Sequence, residues 1–137
     1  MNQRIQDKIN EIELYLKELE SIKPPALEKY ENDIKEKAAC ERYFEKIIKA
    51  TIDLAFLVIK TKSLETPEDD KDAFNILMQH EIIDESLCNN LKNAKGMKNI
   101  IAHQYGKVDD KLVFESITHE LIEDVDKFID KINIIEE

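Results

Sequence analysis

Ala38-Ala39-Cys40-Glu41-Arg42-Tyr43-Phe44-Glu45-Lys46-Ile47-Ile48-Lys49-Ala50-Thr51-Ile52-Asp53-Leu54-Ala55-Phe56-Leu57-Val58-Ile59 decides the fold. Ala39, Tyr43, Ile47 and Leu54 follow one helical row, and Cys40, Phe44, Ile48, Ala55 and Ile59 follow another. A helix that is apolar on more than one side and wetted along one narrow strip belongs at the centre of a bundle. The segment is expected to run from the Pro24-Pro25 pair, which suits a first helical turn, to about Ser63.

Outward from this centre the other helices follow by periodicity and punctuation. Ile5, Ile9, Ile12, Leu16 and Leu19 form a single stripe that predicts a first helix over about residues 2–22, stopped by Lys23-Pro24-Pro25. Thr66-Pro67-Glu68-Asp69 has the form of a helix start, with Thr66 as cap, and predicts a short third helix to about His80 that buries Phe74, Leu77 and Met78. Asp84 is expected to cap a fourth helix reaching about Gln104. Asp109 or Asp110 caps a fifth, whose stripe is Val113, Ile117, Leu121, Val125, Phe128, Ile132 and Ile135. The expected architecture is all-α: an antiparallel up-and-down bundle of four to five helices with a long central second helix, one domain over residues 1–137.

Composition agrees with that architecture. Two glycines and three prolines leave little material for tight turns, so connections should be few and short. Cys40 and Cys88 lack CxxC spacing or a histidine neighbour and are read as reduced core thiols. No signal peptide or spanning segment is visible, which predicts a cytoplasmic protein without membrane contact. Acid clusters such as Glu68-Asp69-Asp70 and Asp109-Asp110 fall at helix starts, where the dipole explains them, so neither a metal nor another cofactor is expected. No Gly-rich phosphate loop or Ser/His/Asp arrangement is present.

The net charge of −10 disfavours indiscriminate binding to polyanions. One stretch runs against it. From Ser86 to Val108 there is no Asp or Glu, although acids make up 30 of 137 residues, and Lys92, Lys95, Lys98 and Lys107 fall inside the gap. The gap also contains both glycines, Gly96 and Gly106, together with His103 and Tyr105. On a helix Asn99 lies one turn before His103 and can orient its imidazole. Gly106 is placed to end that helix. His80 and His119 have no such company and are read as structural or surface residues.

Lys98-Asn99-x-x-x-His103-x-Tyr105, followed by Gly106-Lys107-Val108-Asp109 and a long amphipathic helix, resembles the signature of the HepT-like group of the HEPN superfamily. Upstream, Glu41-Arg42-Tyr43 and Thr51-Ile52-Asp53 resemble the corresponding helix of that family. The resemblance implies a helical bundle that forms a homodimer, joining two motifs in one cleft. It also implies an RNA-cleaving toxin of a type VII-like toxin–antitoxin pair, silenced by a minimal nucleotidyltransferase antitoxin that attaches AMP to the motif tyrosine, here Tyr105. Metal-independent RNA cleavage needs a base for the 2'-hydroxyl proton, an acid for the leaving 5'-oxygen and a cation for the phosphate. His103 would serve as acid and base from two subunits, with Lys98 as cation and Asn99 as orienter. Lys92, Lys95, Lys107 and Arg42 would contact RNA.

The chain departs from the family pattern at one position, where Lys98 replaces the family's arginine. A lysine is a point charge that binds phosphate without the bidentate grip of a guanidinium. Arg42 would restore one if it faced the same cleft. An endoribonuclease is therefore weighed against a catalytically weak module that docks a nucleotidyltransferase partner, and against a helical scaffold with no site.

Overall fold

The computed structural model describes residues 2–103 and 109–136, with residues 102 and 103 described by their backbone alone. The described chain is all-α. It forms α1 (Gln3–Ile22), α2 (Leu27–Asn32), α3 (Ile34–Thr61), α4 (Asp70–Gln79), α5 (Glu85–His103), α6 (Asp110–Glu115), a π-helical turn (Ser116–Glu120) and α7 (Leu121–Ile135). α3 is the central element, touching α1, α2, α4, α5, the π turn and α7. Its residues Cys40, Phe44, Ile47, Ile48, Leu54, Ala55 and Val58 are fully buried, so both apolar rows of the sequence are used. Ile5, Ile9, Ile12, Leu16 and Leu19 of α1 pack along it. Both cysteines are buried and free, and desolvation pushes the Cys40 thiol up to about 11, which keeps it protonated and inert.

Capping explains most of the boundaries. Asn2 accepts from the backbone N–H groups of Arg4 and Ile5 at 2.8 and 3.2 Å, Asp84 from Leu87 at 2.8 Å, and Asp109 from Lys111 and Leu112 at 3.0 and 3.3 Å. Two expected boundaries are corrected. The second helix is not continuous from the prolines: Asp33 is extended (φ −119°, ψ 102°) and its carboxylate caps α3 through Lys35 and Glu36, leaving α2 as a separate turn. The break lets the buried Tyr30 of α2 meet Phe114 of α6, ring centres 5.4 Å apart. The third helix is capped by Asp69, not Thr66. Asp69 accepts from the Asp72 N–H at 2.8 Å while the Asp72 carboxylate accepts from the Glu68 N–H at 2.9 Å, a reciprocal arrangement that Thr66 lacks.

The turns between helices manage with almost no glycine. Ser63 (φ 55°) and Glu81 (φ 60°) take the left-handed position after α3 and α4. Each is followed by a 6→1 bond, Leu64 N–H to Ile59 C=O and Ile82 N–H to Leu77 C=O, both 2.9 Å. Non-glycine residues in that region cost on the order of 1 kcal/mol or more, here offset by the closed hydrogen bonds and the burial of Ile82.

The last rod carries the π turn. Ser116, Ile117 and Thr118 are buried within it, and the Leu121 N–H reaches back to the Ser116 carbonyl. The stripe from Val113 to Ile117 to Leu121 to Val125 advances four residues at each step, which drifts round a helix of 3.6 residues per turn. The wider π turn takes up that drift and keeps Val113, Ile117, Leu121 and Val125 all facing the core. Lys23 Nζ donates to the Thr118 carbonyl at 3.4 Å, linking the C-terminal end of α1 to this turn. Among the described residues no helix is long and apolar enough to cross a membrane.

Candidate functional site: a cation-lined cleft beside the end of α5

α5 is seated through Leu87, Cys88 and Leu91, all buried, and becomes only half-buried from Ala94 onward. Its C-terminal half therefore lies along the surface of the bundle, with Asn99 exposed and Ile100 43% exposed. The two sides of this half face different surroundings.

On one side Lys98 lines a cavity of about 380 Å³ together with residues of α1 and α3. Five cations meet there, Lys8, Arg42, Lys46, Lys49 and Lys98, against three carboxylates, Glu11, Glu45 and Asp53, in a chain whose 20 cations are outnumbered by 30 acids. Lys8 pairs with Glu11 at 2.7 Å and Asp53 at 3.8 Å, Lys49 with Asp53 at 3.3 Å, and Arg42 with Glu45 at 3.9 Å. The bond to Glu11 raises the Lys8 pKa, and the same bond lowers that of Glu11, so both stay charged near neutrality. Lys46 and Lys98 form no ion pair among the described residues. The Lys46 ammonium instead sits 4.4 Å from the ring centre of Tyr15 and 4.8 Å from that of Tyr43.

On the other side Lys95 pairs with Asp70 at 3.1 Å, with only 16% of its side chain exposed, and Lys92 donates to the Asn75 side-chain oxygen at 3.0 Å. Lys92 lines a separate cavity with the acidic start of α4, Glu68, Asp69 and Asp72. A third cavity of about 510 Å³ lies between α5 and the last rod, bordered by Asn90, Met97, Glu120 and Asp124. Burial raises the Asp124 pKa, opposed by a hydrogen bond from Asn90 at 3.2 Å. Its carboxylates make it unsuited to an anion.

The structure thus brings Lys98 and Arg42 to one cleft, and places Lys92 and Lys95 elsewhere, engaged by neighbouring side chains. Asn99 is beside Lys98 on α5, and the His103 backbone ends that helix. The side chain of His103, and all of Tyr105, Gly106 and Lys107, lie outside the described residues. Among the described residues no group of three or more His, Cys, Asp or Glu side chains is placed to hold a metal ion. His80 hydrogen-bonds Glu65 at 2.6 Å, and His119 is exposed in the π turn. Lys46, Lys49 and Tyr15 also line this cleft, beyond the residues expected there from sequence. Arg42, Lys46 and Lys49 recur at four- and three-residue spacing, the narrow wet strip of the central helix, and that strip was the available signal.

Known proteins share this architecture. A solved toxin–antitoxin complex with AMP-PNP contains a chain that superposes with a TM-score of 0.89 at 26% identity, covering 97% of this chain and 99% of that one. The tri-AMPylated HEPN toxin of Shewanella oneidensis, in complex with its MNT antitoxin, gives a TM-score of 0.89 at 27% identity, covering 98% and 99%. In sequence, the mRNA nuclease HepT of Shewanella oneidensis is 33% identical over 88 residues, a match that spans 64% of this chain and 65% of that protein. The bundle and its motif-bearing helix define a HEPN-type α-helical protein. Residues 9–132 match the model of the family described as ribonuclease HepT-like, and the chain belongs to that family.

Proposed function

We propose that this chain, as one domain over residues 1–137, is a metal-independent endoribonuclease toxin that works as a cytoplasmic homodimer. The observation that carries the reading is the placement of Lys98, the motif cation, in a cleft that gathers cations in an otherwise acidic protein. Membership of the HepT-like family and the likeness to antitoxin-bound toxins support it. In the reaction, His103 of one subunit takes the 2'-hydroxyl proton of RNA as that oxygen attacks phosphorus. The bond to the 5'-oxygen breaks, and the second subunit's histidine protonates the leaving oxygen, giving a 2',3'-cyclic phosphate and a 5'-hydroxyl. Lys98 holds the phosphate, assisted by the Arg42 guanidinium across the cleft, and Asn99 orients the imidazole. Lys107 approaches the RNA next to the motif, whereas Lys92 and Lys95 contribute through the field of the acid-free run.

A minimal nucleotidyltransferase partner would silence the toxin by attaching AMP to Tyr105, adding bulk and negative charge where the substrate phosphate enters. Paired histidines predict a bell-shaped rate profile centred near pH ~6.5.

The test is expression of the chain alone, wild type beside His103→Ala, with growth and RNA integrity followed together. Arrest and RNA fragments that require His103 are expected. Healthy growth with intact RNA and soluble protein would overturn the nuclease reading. A second reading, a weak module that docks the nucleotidyltransferase, is favoured by lysine standing where the family has arginine, and it would then gain.

A further inference from the structure

We infer that Lys46 is a second phosphate-holding cation of the cleft, aimed by the faces of Tyr15 and Tyr43; the inference rests on reading this cleft as the RNA site. Lys46 lies on α3 and lines the same cavity as Lys98. Lys8, Lys49 and Arg42 are each offset by a carboxylate within 4 Å, but Lys46 has none among the described residues. Its ammonium is instead gripped by two aromatic rings, at 4.4 and 4.8 Å. A ring face attracts a cation without accepting its N–H groups in ordinary hydrogen bonds, so the three donors of the ammonium remain open to phosphate oxygens.

The grip also fixes direction. A free lysine loses rotamer freedom on binding, and one already held against two rings loses less. A lysine at 98 orients phosphate less firmly than an arginine would. A second ammonium supplies from another direction what the guanidinium fork supplied from one. The geometry therefore points to two ammonium groups, one from α5 and one from α3, converging on a phosphodiester of single-stranded RNA.

The experiment measures binding of a fluorescent single-stranded RNA to the full chain carrying His103→Ala, by anisotropy over a range of salt concentrations. Adding Lys46→Gln is expected to weaken binding about three- to tenfold and to reduce the slope of log K against log salt by about 0.7, the loss of one phosphate contact. Lys46→Arg should restore the slope. Tyr15→Leu should weaken binding with the slope unchanged, because the charge stays and its aim is lost. Lys131→Gln, on the exposed face of α7, is the control for net charge and should alter neither.

An unchanged affinity and slope in Lys46→Gln would overturn the inference, as would an equal effect from Lys131→Gln or an absence of RNA binding at low salt. Lys46-dependent binding by a chain whose wild type never cuts RNA would overturn the nuclease reading alone. His103-dependent cutting that ignores Lys46, with RNA affinity also unchanged, would overturn this inference alone.

Discussion

The lysines of α5 belong to one acid-free run of sequence, yet the two flanks of the helix meet opposite surroundings. Lys92 and Lys95 turn toward α4, whose first turn supplies Asp70 and whose side chain Asn75 accepts a further bond. Lys98, one turn on and rotated toward α1 and α3, meets Arg42, Lys46 and Lys49. The first flank joins helices with charge. The second gathers five cations against three carboxylates, and Lys46 and Lys98 there form no ion pair among the described residues, an excess of positive charge suited to an anion. A run of like residues in sequence is thus divided by helical geometry into a set engaged by α4 and a lysine that lines the cation-rich cleft.

The sharpest way to break this division is to remove one lysine from each flank. Lys98→Ala is expected to lower RNA cleavage about a hundredfold or more, the scale for losing a group that stabilises the transition-state charge, while Lys95→Ala stays within about twofold; cleavage rates on a defined RNA, normalised to folded protein, decide it. Equal losses would dissolve the distinction.

The seating of α5 provides the next test. Leu91→Ala removes a fully buried side chain and should cost about 3 kcal/mol, whereas Met97→Ala, at the half-buried end, should cost about 1 kcal/mol. Urea denaturation of both variants reads the difference. Between them lies Gly96, where an added Cβ would meet nothing nearer than Lys71 Nζ at 3.6 Å, an ordinary contact. Gly96→Ala should therefore stabilise the protein by up to about 1 kcal/mol, seen as a raised Tm. If activity falls as stability rises, the glycine serves motion near the cleft.

Removing the charge on the α4 flank should be milder. Asp70 is 43% exposed, so Asp70→Asn should cost less than about 1 kcal/mol, with the effect fading as salt is added. The smallest effect is one of pH. Burial raises the Asp124 pKa above its ordinary value of 3.8, so the folded state binds the proton more tightly than the unfolded chain. Its contribution favours folding below 3.8 and is lost as pH rises through the raised value. Asp124→Asn should flatten that fall, and a denaturation series from acid to neutral pH checks the sign.

How much of this was legible in the sequence follows from what each residue competes with. The stripes of α1 and α3, the cap at Asp84 and a cap within the Asp109-Asp110 pair were readable because periodicity and cap chemistry agree there. The break at Asp33 was hidden because the apolar rows of α3 start only further on, so nothing in the pattern opposed a helix running back to the prolines. Thr66-Pro67 carries a genuine start signal and lost to Asp69, which gains a reciprocal bond through Asp72. The turns without glycine were visible only as a scarcity. Arg42 sharing a cleft with Lys98 depends on how α3 and α5 are packed, which spacing within either helix cannot reveal, and Lys46 was passed over because its helix was read for its core.

The π turn makes α6 and α7 one helix read in two frames. Counting from Val113, the buried row would wander toward solvent by the middle of α7; counting from Leu121, it runs straight to Ile132. The turn behaves as a single surplus residue absorbed without interrupting the rod. Dropping one exposed residue there, such as His119, would let the rod close into ordinary α-helix with α7 still facing the core, while the Thr118 carbonyl that Lys23 reaches would shift and leave Lys23 to Glu20. The length of this segment is therefore free to vary by one, whereas the contact from the end of α1 depends on the surplus residue.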